Sequence, residues 1–449
     1  MTRESLTFLF LPESAYGPTN NCIGVGKELV RRGHRVVFAS ESSWAGQLSP
    51  HGFVEDLVDL EPPAQDEAEQ DAGAFWKNYI QEISPEFLKS TQEQLTTVSR
   101  PILEALIEGV KYSAPALREV VERNQPDVTI LDNVLTFPAL MTSPAKYVRV
   151  VSCNPLEVPG ENIAPVFSGL GQDDREGWAT FREAYERSHR EVWEDFNAWV
   201  QEQGAPPLPY LEFSHAGDRN LYLYPAEIDY TDARPLDSTW YRIDSAVRET
   251  EAEADIPAHF LDGSKPLIYF SLGSSLGGAD VGLMRSVIAA LAETDYHIIV
   301  SKGPLHAEIE LADNMWGAEF LPQTTIIPKV DLVVTHGGNN TVTESLHFGK
   351  PMVLMPLFWD QYDNAQRVHE KGLGRRVDTY RVSAAELRQT VADLLADTAM
   401  RAEAERIGER IRARRGLHRA ADLLVEIGRE GVAERAGSWR ARTPEPPGS

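Results

Sequence analysis

The sequence predicts an α/β protein built from two doubly wound, parallel-stranded sheets, and three observations predict it. A strand and helix alternation opens the chain and starts afresh at PLIYFSLGSS, from Pro266. The strands are short unbroken runs of β-branched and aromatic residues, such as DVTILD, which suits strands covered by helices on both faces. Between the two halves lies AVRETEAEADIPAHFLDGSKP, acidic and carrying several turn formers. Two sheets fit this better than one, because open sheets rarely exceed about ten strands.

The first half begins with a strand at LTFLFL, a loop holding Gly17 and Pro18, and an amphipathic helix to Arg32. Gly33 ends that helix and HRVVFAS forms the second strand. The run Gly24-Val25-Gly26 is no dinucleotide fingerprint, since Leu29 stands at the third glycine position and the run lies inside the helix. Helices are expected over residues 75–99, 101–112, 114–123 and 178–200, and strands over 127–132 and 147–152. RNLYLYPAEIDY and STWYRID read as further strands. In the second half, strands at PLIYFSLGSS, HIIVSKG, VDLVVTHGG and KPMVLMP alternate with helices over 281–293 and up to Phe348. The expected division is residues 1–235 and 264–435 for the two domains, 236–263 for the linker, and a disordered tail over 436–449.

Composition narrows the function. The chain has 449 residues, and 43 Lys+Arg against 68 Asp+Glu give a net charge of −25, which argues against nucleic acid as partner. Residues 1–235 hold 19 Lys+Arg and 37 Asp+Glu, so most of the acidity belongs to the first domain. Cys22 and Cys153 are too few for a disulfide framework and fit a reducing compartment. No apolar run approaches the ~20 residues of a membrane span. The opening one falls short of the roughly 7 to 15 residues of a signal peptide. A cytoplasmic location is expected, and the oligomeric state is open.

The chemistry gathers in FLPQTTIIPKVDLVVTHGGNNTVTESLHFGKPMVLMPLFWDQYD. A buried strand runs into His336-Gly337-Gly338-Asn339-Asn340 and then a helix. The glycines let backbone approach a ligand, and a helix start offers unpaired N–H groups to a phosphate. A structural reading is also open: Thr341-x-x-Glu344 fits a capping box, and His336 fits a satisfied core histidine.

This window resembles the donor-sugar signature of the family 1, UDP-dependent glycosyltransferases. The matching motifs are L-P-Q at 321–323, T-H-G-G at 335–338, N-T-x-x-E-S at 340–345, G-K-P at 349–351 and P-L-F-x-D-Q at 356–361. The resemblance implies a GT-B fold, two Rossmann-like domains facing a central cleft, with a UDP-sugar as co-substrate and no cofactor. It implies Phe320 and Gln323 at the base, Glu344 at the ribose hydroxyls, and His336, Gly338, Asn339, Asn340 and Thr341 at the pyrophosphate. Asp360 and Gln361 would meet the sugar hydroxyls, and Ser274 and Ser275 the phosphates. No two aspartates stand two residues apart, so the D-x-D metal motif of other glycosyltransferases is missing and no metal is expected.

The acceptor side departs from that family. A general-base histidine, expected in a G-H pair ahead of the first helix, is replaced by Pro18. His34 belongs to the turn after the helix, on the far side of the sheet. The family's second catalytic residue corresponds to Asp132, for which three roles are open: base, anchor for a cationic acceptor, or structural partner. A missing histidine favours a nitrogen or acidic-hydroxyl acceptor, because such groups depend less on a general base. Pro18, Phe75, Phe137 and Phe167 are expected to line the pocket of a lipophilic small molecule such as a polyketide or other aromatic natural product. The expected reaction is inverting transfer of a hexose, glucose by analogy. The alternative is a non-catalytic homologue that supports a partner enzyme.

Overall fold

The computed structural model describes residues 5–60, 83–248, 252–273 and 280–442, with side chains as far as residue 434. The first sheet comprises β1 (Thr7–Pro12), β2 (Arg35–Ser40), β3 (Val54–Leu57), β4 (Val128–Asp132), β5 (Lys146–Val151), β6 (Arg219–Tyr222) and β7 (Trp240–Arg242). All neighbours pair parallel, in the order β3-β2-β1-β4-β5-β6-β7. Its main helices are α1 (Tyr16–Arg31), α2 (Arg100–Asn124) and α3 (Arg175–Glu202).

The second sheet holds β8 (Leu267–Ser271), β9 (His297–Ser301), β10 (Met315–Ala318), β11 (Leu332–Thr335), β12 (Met352–Leu354) and β13 (Gly374–Arg376). Its order is β10-β9-β8-β11-β12-β13, again parallel. The accompanying helices are α4 (Val281–Ala292), α5 (Asn339–His347), α6 (Asp360–Glu370), α7 (Ala384–Ala396), α8 (Thr398–Arg414) and α9 (Gly416–Arg442).

Both sheets are doubly wound as expected, and each reverses direction once. The switch falls between β1 and β4 in the first sheet and between β8 and β11 in the second. Open α/β sheets bind ligands beyond the strand ends at such a point. Pro12 and Asp132 are in register at the first switch, Ser271 and Thr335 at the second.

Several elements differ from the sequence reading. Of the helix expected over 75–99, residues 75–82 lie outside the described residues, and the rest is a 3-10 turn (Ser84–Leu88), one short helical turn (Thr91–Gln94) and a π turn (Leu95–Ser99). The helices expected over 101–112 and 114–123 are one continuous helix, α2, with Pro115 inside it. A proline in a helix interior costs about 3 kcal/mol, but Ile107, Val110, Ala114, Leu117 and Val121 bury one face of α2 across that position. Trp240–Arg242 forms a strand as read from STWYRID, but as β7 it is the edge of the first sheet although it falls inside the 236–263 stretch assigned to the linker. Helix α9 continues to Arg442, beyond position 436 where disorder was expected, and it packs on the first sheet. Its Ala420, Ala421, Leu424 and Ile427 share one core with Leu6, Phe8, Phe10 and Leu29.

Candidate functional site

The two switch points face each other across the cleft. Asn340 Nδ2 on α5 donates to Gly17 O at 3.0 Å, and Asn364 Nδ2 on α6 donates to Cys153 O at 3.0 Å. Asp363 accepts from Phe167 N at 2.6 Å and Gly169 N at 2.8 Å. Ring contacts add to these, with Phe167 4.2 Å from Trp359 and Phe87 stacked 4.9 Å from Phe358.

The loop from β11 to α5 is shaped around His336. Gly337 has φ +92, and a β-carbon on Gly338 would lie 2.5 Å from His336 Nε2. Gly273, with φ +96, lies against the same ring, where a β-carbon would come within 3.0 Å of Cε1. Burial lowers the His336 pKa to about 4, so the ring is neutral at physiological pH. No side chain caps α5, whose N-cap residue is Gly338. The helix starts at Asn339, two residues ahead of Thr341, so Thr341 and Glu344 are interior positions rather than a capping box. An uncapped helix start beside a neutral imidazole is suited to an anionic ligand.

Glu344 is the next group along α5, 3% exposed. Its Oε2 accepts from Gln323 Nε2 at 2.6 Å and its Oε1 from Arg248 Nη1 at 3.1 Å. Gln323 also donates to Thr341 Oγ1 at 3.2 Å. These four residues form one polar network beside Phe320, which is 46% exposed and lies 6.0 Å from the Tyr16 ring of α1. Arg248 has no signal in the sequence, because it stands in a segment read as linker.

The remaining expected donor residues divide. Asp360 begins α6 and accepts from Asn364 Nδ2 at 3.1 Å; burial, then the charges of Glu157 and Asp363, raise its pKa well above the carboxylate range. Gln361 Oε1 accepts from Leu357 N at 3.0 Å and the residue is 3% exposed, which fixes the turn ahead of α6. That turn includes Trp359 at φ 57 and ψ −136, a backbone region tolerated almost only by glycine. Asn339 points away from the α5 start: its Nδ2 donates to Ser152 O and to Leu223 O, tying α5 to the first domain. Ser274 and Ser275 lie outside the described residues.

On the acceptor side, Pro18 occupies the first turn of α1. Asp132 ends β4, 2% exposed, with Oδ1 accepting from Ser152 Oγ at 2.6 Å and Oδ2 3.9 Å from Cys22 Sγ. Burial, reinforced by the charges of Glu157 and Glu13, raises its pKa well above the usual range, whereas the Ser152 bond works the other way. The Asp132 carboxyl is thus buried and engaged by Ser152 rather than open to the cleft. Phe137 is 2% exposed in the core that also holds Leu135 and Leu140, so it packs the domain rather than lining a free pocket. Phe167, 8% exposed, sits at the interface through Trp359. Phe75 lies outside the described residues. Among the described residues, no group of three His, Cys, Asp or Glu is placed to hold a metal, and no helix is long and apolar enough to cross a membrane.

Two Rossmann-like domains with an uncapped helix start in the cleft form a class of α/β protein suited to an anionic ligand between the domains. The comparisons narrow it. Residues 249–412 match the profile of the family described as UDP-glucoronosyl and UDP-glucosyl transferase. Oleandomycin glycosyltransferase of Streptomyces antibioticus is 27% identical over 418 residues, 92% of this chain and 88% of that protein. Among solved structures, CalG4, the calicheamicin glycosyltransferase, superposes with a TM-score of 0.67 at 18% identity, covering 95% of this chain and 98% of that one. The glycosyltransferase VinC in complex with dTDP gives 0.63 at 19% identity, covering 95% of this chain and all (100%) of that one. Residues 249–412 thus carry the profile of the UDP-glucoronosyl and UDP-glucosyl transferases, and the whole chain has the GT-B fold of these solved glycosyltransferases.

Proposed function

We propose that the protein transfers a hexose, glucose from UDP-glucose, to a lipophilic natural product of polyketide or aromatic type, inverting the anomeric carbon. The observation that carries this is the β11 to α5 junction, where His336, Gly338 and the uncapped start of α5 face the acceptor domain at Gly17. In this reading the diphosphate rests on the first N–H groups of α5, and the ribose hydroxyls bind Glu344. The base lies between Phe320 and Gln323. The growing charge on the leaving diphosphate meets donors already in place, which stabilises the transition state more than the ground state. Asp360 and Gln361 would orient the sugar, with Ser274 and Ser275 on the phosphates.

The acceptor domain is acidic and carries Pro18 where the family histidine is expected. This supports a nitrogen nucleophile or an acidic hydroxyl, and Asp132 is a positioning residue for it. Relatives named for antibiotics support the acceptor class. The two free cysteines fit a cytoplasmic setting.

Calorimetric titration of UDP and dTDP into wild type, His336→Ala and Glu344→Ala tests the donor site; equal affinity in all three would remove it. Incubation with UDP-glucose and a panel of phenol, alcohol and amine acceptors, read by mass spectrometry, tests the transfer. Pro18→His is expected to improve transfer to alcohols. Asp132→Asn is expected to slow the native reaction, and full turnover would remove Asp132 from the site. The second reading, a non-catalytic homologue supporting a partner enzyme, is favoured by the lack of histidine near Asp132. It predicts nucleotide binding without product for every acceptor.

A further inference from the structure

The transfer proposed above needs a group to take the proton of the nucleophile. Pro18 has no titratable atom, and the carboxyl of Asp132, 2% exposed, is engaged by Ser152 Oγ at 2.6 Å. A different carboxylate stands at the same switch point. Glu13 follows β1 directly, and its N–H donates to Asp132 O at 2.8 Å, which extends the β1 and β4 ladder past the last registered pair, Pro12 with Asp132. Its carbonyl accepts from Thr19 Oγ1 at 3.0 Å. The backbone is thereby held from both sides, while the residue is only half-buried and no donor among the described residues bonds its carboxylate. A held backbone with an unengaged side chain is what a base needs.

Its neighbours place that carboxylate. The charge of Glu13 is felt by Asp132, by the Cys153 thiol and by Asp360. Asp360, the first residue of α6, is the group assigned to the sugar hydroxyls. The charged groups that act on Glu13 are Glu157 and Glu41. Arg149, 3.8 Å from Glu157, is the cation next to this cluster.

We propose that Glu13 is the general base of the transfer; this rests on the function proposed above. The proton of the acceptor O–H or N–H passes to a Glu13 carboxylate oxygen as the nucleophile's electron pair forms the bond to the anomeric carbon. The bond from that carbon to the diphosphate oxygen breaks, and its electron pair leaves with the nucleoside diphosphate. Solvent takes the proton from Glu13 before the next turnover. Burial first, and then Glu157 and Glu41, raise the Glu13 pKa to about 7, where a group is both available as a base and able to hold a proton. The protein thus needs no histidine at position 18.

The test is the pH profile of kcat/KM for wild type, Glu13→Gln and Glu13→Asp with UDP-glucose and phenols and alcohols of graded acidity, beside nucleotide titration of each. Wild type is expected to lose activity on the acid side with an apparent pKa near 7. Glu13→Gln should lose about 10²- to 10⁴-fold in kcat with alcohols, and less with acidic phenols. Its acid limb should vanish and its nucleotide affinity should stay. Glu13→Asp, which keeps the charge on a shorter stem, should retain the limb at lower kcat and serves if the glutamine variant does not fold. An unchanged kcat or an unchanged acid limb in Glu13→Gln overturns the assignment alone. A wild type that binds nucleotide and glycosylates nothing overturns the proposed function and this role with it.

Discussion

Arg248 and Glu344 form an ion pair of 3.1 Å in which both side chains are shielded, at 8% and 5% exposure. The arginine comes from the crossing between domains, the carboxylate from the helix assigned to the nucleotide. Removing one partner of a shielded pair costs up to about 3 to 5 kcal/mol, and here Gln323 still donates to Glu344. Arg248→Ala should therefore lower the melting temperature strongly, and the double variant with Glu344→Ala should lose less than the two single losses combined. A thermal double-mutant cycle reads this; additive losses would show that the pair is uncoupled.

Asn339 predicts a hierarchy. Its amide donates to the carbonyls of Ser152 and Leu223, so Asn339→Ala strands two acceptors at about 1 to 3 kcal/mol. Asn339→Asp is expected to be worse, because it presents a buried carboxylate to the same two carbonyls. Denaturant unfolding separates the variants, and an aspartate as stable as alanine would contradict the orientation.

Trp359 reverses a usual rule. Glycine is normally less stable than alanine by roughly 0.5 to 1 kcal/mol in regular structure. At φ 57 and ψ −136, alanine keeps the strain that glycine lacks. Trp359→Gly should therefore unfold at higher denaturant than Trp359→Ala, although both lose the ring contact with Phe167.

His336 ties stability to acid. Its folded pKa is about 4, against 6.5 for the free side chain, so between those values the unfolded chain binds a proton that the folded chain does not. The stabilisation is complete above about pH 6.5 and falls as pH drops towards 4, by up to about 3 kcal/mol. His336→Gln should show a smaller drop in melting temperature between about pH 7.5 and pH 5 than wild type does. Equal drops in the two proteins would contradict the neutral, buried ring.

The two sheets were legible because their strands are unbroken apolar runs, and the glycines around His336 were legible as a strand-to-helix turn. Proline misled over α2, where a buried face of local helix outweighed one residue's propensity. Asn339 carries no mark that distinguishes a ligand donor from a tie between domains, since that depends on which way the side chain turns at the start of α5. Glu13 and Arg248 escaped for the same kind of reason. Each is one charged residue in a loop, and only the tertiary structure shows that Glu13 extends the ladder beside Asp132 and that Arg248 reaches Glu344.

Helix α9 gives the chain an order of completion. Residues 420–427 fill the core under β1 and α1, although more than 370 residues separate them from the end of α1. On the ribosome, the first domain waits with that apolar face bare until the second domain has been made. Residues 1–235 produced alone should aggregate, and a peptide covering α9, added in trans, should rescue their solubility. The domain translated first is thus the one that closes last.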